Sequence, residues 1–129
     1  MKSTVLVPLA ALAIAAAVPL ASAGTRAVYQ VVVNDSARWA NGTLTDARGS
    51  ADSVQNMGCY HNATSAGCFA TNAAGVSRTC TTVNAQLIEV IRHVGPEAYL
   101  YFQWNADGTC NYVLVENNSR FKPGSASGF

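Results

Sequence analysis

The sequence has no G-x-S-x-G, no H-E-x-x-H and no Gly-rich phosphate-binding loop, so no familiar catalytic signature is present. Histidine is scarce: His61 and His93 are the only two, which leaves imidazole chemistry few places to sit. His93 falls in the last turn of an expected helix, where a cation favourably meets the helix dipole, and His61 lies near an expected hairpin tip. Charge is scarce too. Only 12% of residues are charged, and the bases are scattered rather than gathered into a run. A chain without a basic stripe offers no electrostatic footprint for nucleic acid or anionic lipid. The carboxylates Asp35, Asp46, Asp52 and Glu116 have no spacing that brings two together for glycoside chemistry. No catalytic residue, metal or cofactor is therefore expected, and the chain reads as a non-enzyme.

What is present begins with the N-terminus, MKSTVLVPLAALAIAAAVPLASA. Lys2, an uncharged run from Val5 to Leu20 and the small residues Ala21-Ser22-Ala23 have the layout of a secretory leader cleaved after Ala23. A membrane span needs about 20 apolar residues, and this run is shorter and contains Pro8 and Pro19. No membrane anchor is expected. Taking residues 1–23 from 129 leaves 106, enough for one domain, expected over 24–122 with a flexible tail at 123–129. Loss of Lys2 lowers the bases from eight to seven, against seven acids, so that portion is formally neutral. Asn34, Asn41, Asn62 and Asn117 begin N-x-S/T sequons, although the Ala-rich leader has a bacterial look. The expectation is a secreted or periplasmic monomer.

Cys59, Cys68, Cys80 and Cys110 are separated by eight, eleven and twenty-nine residues. Zinc sites favour close C-x-x-C pairs or Cys/His clusters. An even count in a small exported chain instead reads as a disulfide framework.

Strand character marks 26–33, 53–61, 67–72 and 76–82. Residues 36–53 are polar and Gly-interrupted and read as a long connection, with a short helical turn around Leu44–Arg48. One helix is well marked over 85–94. Asn84 can cap it, Leu87, Ile88, Ile91 and Val94 share a face, and Gly95 is expected in the left-handed C′ position before Pro96. Asn105-Ala106-Asp107-Gly108 fits a type I turn followed by a left-handed Gly, and Asn72-Ala73-Ala74-Gly75 repeats that chemistry. These elements imply an α+β domain: one small antiparallel sheet of about five to six strands, with the helix packed on one face.

The last hairpin, AYLYFQWNADGTCNYVLVEN, is dense in aromatics. With a loop at 106–108, Leu100, Phe102 and Trp104 oppose Leu114, Tyr112 and Cys110 on a face that should bury under the helix. Tyr99, Tyr101 and Gln103 then oppose Val115, Val113 and Asn111 on a mixed face. Two readings compete for that second face. It packs beneath the 34–52 connection, a common arrangement, or it is a recognition surface for a protein or glycan partner, since amphipathic aromatics serve well at interfaces.

Four cysteines allow three pairings. Cys68 can face Cys80 across one turn and Cys59 across the other, both within disulfide reach. Cys110, beside Trp104 on the buried face, needs a partner near the helix start, which favours Cys80–Cys110 with Cys59–Cys68. The strings ARGSADSVQNMGC (47–59), FATNAAGVSRTC (69–80) and GTCNYVLVENNSRFKP (108–123) resemble small, uncharacterised, secreted bacterial proteins with four cysteines. That resemblance implies a single exported domain and no particular activity. A binding or structural module of the envelope or medium is expected. The alternatives are an inhibitor of a secreted hydrolase presenting residues 61–67 and, last, a small hydrolytic enzyme.

Overall fold

A computed structural model describes residues 25–121; the expected leader and the expected tail at 123–129 lie outside the described residues. In chain order the elements are β1 (Val32–Asn34), β2 (Trp39–Thr43), α1 (Leu44–Arg48), β3 (Asn56–His61), β4 (Ala66–Thr71), β5 (Ser77–Thr82), α2 (Ala85–Arg92), β6 (Tyr99–Trp104), β7 (Cys110–Glu116) and a 3₁₀ turn (Ser119–Phe121). The α+β class holds, but the single sheet of five to six strands does not. Among the described residues seven strands form two antiparallel sheets, one ordered β1-β2-β6-β7 and the other β3-β4-β5.

The extra strand comes from the expected 36–53 connection. Trp39–Thr43 pairs with β1 on one side and with β6 on the other, so WANGT is a central strand. Its inward positions are Ala40 and Gly42, which hides it from a search for β-branched residues. The small residues are there for room: a Cβ on Gly42 would stand 3.2 Å from both Met57 Sδ and Val31 Cα. The short α1 does form at Leu44–Arg48, capped by the Thr43 side chain.

The expected strand at 26–33 shrinks to Val32–Asn34 for a related reason. Its earlier N–H groups find partners outside any strand ladder: Ala27 N–H donates to Arg120 O at 2.9 Å, and two others go to side chains. Tyr29 N–H donates to Asp46 Oδ2 at 2.9 Å and Val31 N–H to Gln55 Oε1 at 2.8 Å. Asp46 is 6% exposed, and it also accepts from Arg26 Nη2 at 2.8 Å and from the Thr43 hydroxyl. A buried carboxylate is costly unless paired and hydrogen-bonded, and these donors meet that need while strapping residues 26–29 to α1.

In the three-stranded sheet, alternation sorts the side chains cleanly. Met57, Cys68, Ala70 and Cys80 point into the core. On the opposite face Tyr60 opposes Gly67 and Phe69 opposes Gly58, each ring lying over the glycine across from it. The rings shield backbone that a glycine leaves bare, and a Cβ at Gly67 would fall 2.5 Å from the Tyr60 oxygen.

Helix α2 packs against β7, β3 and β4, and Ile88 and Ile91 share the core cluster with Leu100, Phe102 and Trp104. Asn84 caps it as expected, accepting from Gln86 and Leu87 N–H. Its C-terminus departs from expectation. The helix stops at Arg92, and Gly95 is not left-handed; among the described residues the glycines with positive φ are Gly75 (81°) and Gly108 (86°), both in hairpin turns. Asn117 does the capping: its Nδ2 donates to His93 O at 2.7 Å and its Oδ1 accepts from Gly95 N–H at 3.0 Å.

Two bridges complete the framework, Cys59–Cys68 within the smaller sheet and Cys80–Cys110 between the sheets. These are the pairs selected above from register. Near the second bridge Thr81 N–H donates to Gly108 O at 3.1 Å, and Arg78 grips Asp35 with two hydrogen bonds of 2.5 and 2.6 Å elsewhere along the same seam.

Candidate functional site

The expected partners across the last hairpin shift by one. Trp104 does oppose Cys110, but Phe102 opposes Val113 and Gln103 opposes Tyr112, because the ladder breaks between Gln103 and Trp104. Asn111 is the additional residue, and its Nδ2 donates to Asn105 Oδ1 in the turn at 2.9 Å. The bulge moves Tyr112 to the opposite face from the one expected. It joins Tyr101 and Gln103 there, and β2 adds Trp39 and Asn41.

The resulting outer face of the four-stranded sheet holds a row of three rings. Trp39 and Tyr101 lie nearly parallel with centroids 5.9 Å apart, and Tyr112 meets Tyr101 edge-on at the same distance. Such offset and edge-on contacts fix ring orientation as well as adding burial. Gln103 Nε2 donates to the Tyr101 hydroxyl at 2.5 Å. Tyr112 is 46% exposed and Val32, at the far edge, 45%. Trp39, Tyr101 and Gln103 are half-buried. The reading that this face packs beneath the 34–52 connection does not hold: that segment contributes a strand to the sheet instead of covering it.

Tyr99 stands apart from the row. Tyr29 meets its ring edge-on at 5.0 Å and Phe121 stacks on it at 5.8 Å. Burial pushes its phenol pKa up, partly opposed by a hydrogen bond with the Asn41 side chain. Arg120 lies over the Phe121 ring, 5.6 Å from its centroid, and pairs with Glu116 at 3.4 Å. Of the three residues expected to form a surface, Tyr101 and Gln103 are therefore together, while Tyr99 belongs to a small aromatic cluster roofed by the two ends of the described chain. Trp39 and Tyr112 were not anticipated. For Trp39 the signal was there, as an aromatic alternating with small residues; for Tyr112 a bulge leaves no clear mark in sequence.

Other candidate groups are dispersed. His61 is exposed at the end of β3, and His93 Nδ1 lies 2.8 Å from Glu89 O. Asp35 is held below the ordinary carboxylate range chiefly by its hydrogen bonds from Arg78. Asp52 is lowered to about 2, chiefly by the Gln55 side chain and then by the N–H groups of Val54 and Gln55. Within the expected 61–67 loop, residues 62–65 form a tight turn in which Asn62 Oδ1 accepts from Thr64 and Ser65 N–H at 2.9 and 2.8 Å, while His61 ends β3 and Ala66 begins β4. Among the described residues no cluster of three His, Cys, Asp or Glu could hold a metal ion, and no helix is long and apolar enough to cross a membrane. A depression of about 350 Å³ lies beside Gly95, Pro96 and Asn117, away from the ring row.

No protein-family model matches the chain, and no curated protein or solved structure matches it.

Proposed function

We propose that this is an exported binding module that recognises a protein or glycan partner through the outer face of its four-stranded sheet. The observation that supports this is the row Trp39–Tyr101–Tyr112, three rings in series with Tyr101 touching the other two, on a sheet face, with a carboxamide bonded to the central hydroxyl. Rings held by one another lose little freedom on binding, and aromatic residues are enriched in the buried centres of interfaces. The leader-like N-terminus and the two disulfides are compatible with export.

The test pairs Tyr101→Ser and Tyr112→Ser in one variant, sparing Tyr99 because of its packing. Wild type and variant are compared on a glycan array and in affinity capture from the envelope and medium of the host. Loss of the wild-type ligands with an unchanged melting temperature supports the reading. Retention of the same ligands by the variant overturns it.

A second reading, inhibition of a secreted hydrolase through residues 61–67, draws on the Asn62-held turn beside Cys59–Cys68. Assays against secreted proteases and glycosidases, with Thr64→Ala as the control, separate the two.

A further inference from the structure

The four cysteines lie in one line. Cys59, Cys68 and Cys80 are register partners across β3, β4 and β5, and Cys110 extends the line through its bond to Cys80. Cys68 thus has a cysteine on either side and a bond to only one of them. Hydrogen-bond parity shows how near the unbonded neighbour stands. Asn72 N–H donates to Val76 O at 3.1 Å, which makes 72/76 a hydrogen-bonded pair. Pairs alternate along an antiparallel ladder, so 68/80 is hydrogen-bonded as well, with Cα atoms about 5.5 Å apart. That lies inside the range of about 4.4–6.8 Å over which disulfides form. On the other side Asn62 N–H donates to Ser65 O, so 59/68 is the closer, non-bonded kind, in keeping with its Cα separation of 4.0 Å.

Access is greatest at one end of the line. Cys59 is half-buried, Cys68 and Cys80 are 0% exposed, and Cys110 is 6% exposed. Of the four, Cys59 is the residue most open to an external thiolate. Beyond it, Cys68 and Cys110 flank Cys80 from opposite sides. Cys68 is across the β4 ladder, whereas the Thr81 N–H, which points away from β4, bonds Gly108 next to the start of β7. Attacking and leaving sulfurs on opposite sides of the central one is the arrangement that thiol–disulfide exchange requires.

We propose that Cys59 is a thiolation site for a low-molecular-weight monothiol, and that Cys68 relays the exchange inward to open the Cys80–Cys110 bridge. In the first step the external thiolate attacks Cys59 Sγ. A mixed disulfide forms at Cys59, the Cys59–Cys68 bond breaks and Cys68 departs as thiolate. In the second step that thiolate attacks Cys80 Sγ, forming Cys68–Cys80 and breaking Cys80–Cys110. Cys110 leaves as thiolate and takes a proton from water. One thiol enters and one emerges, two disulfides persist, and nothing is oxidised or reduced overall. The bond that ties the two sheets together is exchanged for one within a single sheet.

The oxidised protein, treated with reduced glutathione as the probe, is quenched in acid, unfolded, alkylated with a maleimide and mapped without reduction. The expected products are glutathione on Cys59, maleimide on Cys110 and a Cys68–Cys80 linked peptide. Maleimide on Cys68 with Cys80–Cys110 intact overturns the relay; absence of any adduct at Cys59 overturns the site. Cys59→Ser supplies an independent reading, because it leaves one thiol without any added reagent. The relay places that thiol on Cys110 as well as on Cys68, and a thiol confined to Cys68 refutes it.

Discussion

Asn117 and Gly95 are fitted to one another: the Asn117 Oδ1 accepts the Gly95 N–H at 3.0 Å, and a Cβ on Gly95 would stand 2.7 Å from that same oxygen. Gly95 is small so that a side chain 22 residues away can finish the helix. Gly95→Ala is expected to push the carboxamide off and so to reproduce Asn117→Ala. Each should cost about 0.5–1.5 kcal/mol, the net worth of a typical hydrogen bond at an exposed site. The double variant should cost hardly more than either single one in urea unfolding; simple additivity would mean the two residues act separately.

Ile91, 2% exposed on the inner face of α2, should lose about 2–4 kcal/mol on change to Ala, as large-to-small core substitutions do. Val83, 82% exposed just before the helix, should stay within about 0.5 kcal/mol on the same change. Thermal unfolding of the two variants side by side checks both expectations.

The acid limb of stability should show Asp52. Its pKa is depressed to about 2, below the unfolded value of about 3.9. A depressed carboxylate stabilises the fold above the unfolded pKa, and that contribution is lost as pH falls from about 4 through 2. Carbon-detected titration should place the Asp52 carboxyl near 2, and Asp52→Asn should flatten the change in stability over that window. A midpoint near 4 would show that the Gln55, Val54 and Ser50 donors do not hold in solution.

The two bridges should differ in worth. Cys80–Cys110 spans 30 residues and Cys59–Cys68 spans 9. On the chain-entropy model, replacing the first pair by Ser costs about 3–4 kcal/mol and the second about 2–3. Denaturant midpoints of the paired variants test the order.

Residue patterns revealed local structure where nearby residues alone set it. The α2 face, the Asn84 cap and the left-handed Gly75 and Gly108 follow from periodicity and turn chemistry, and the place of Cys110 beside Trp104 decided the cysteine pairs that cross-strand register left open. Patterns failed where a distant side chain replaced a local rule. Nothing near Gly95 announces Asn117, and nothing near Tyr29 announces the Asp46 carboxylate that takes its N–H. The β2 strand escaped because Ala40 and Gly42 are shaped by Met57 and Val31, not by strand preference. The ring row was half legible: Tyr101 and Gln103 came from alternation, whereas Trp39 needed β2 and Tyr112 needed the Asn111 bulge.

The two tryptophans divide the molecule between them. Trp104 sits in the core opposite Cys110, while Trp39 lies in the ring row on the outer face. A disulfide held against an indole quenches its emission, so opening Cys80–Cys110 should brighten Trp104 and leave Trp39 unchanged. An occupant on the outer sheet face should instead shift the colour of Trp39 alone. With Trp39→Phe and Trp104→Phe in hand, the protein becomes its own dye-free, two-channel fluorimeter.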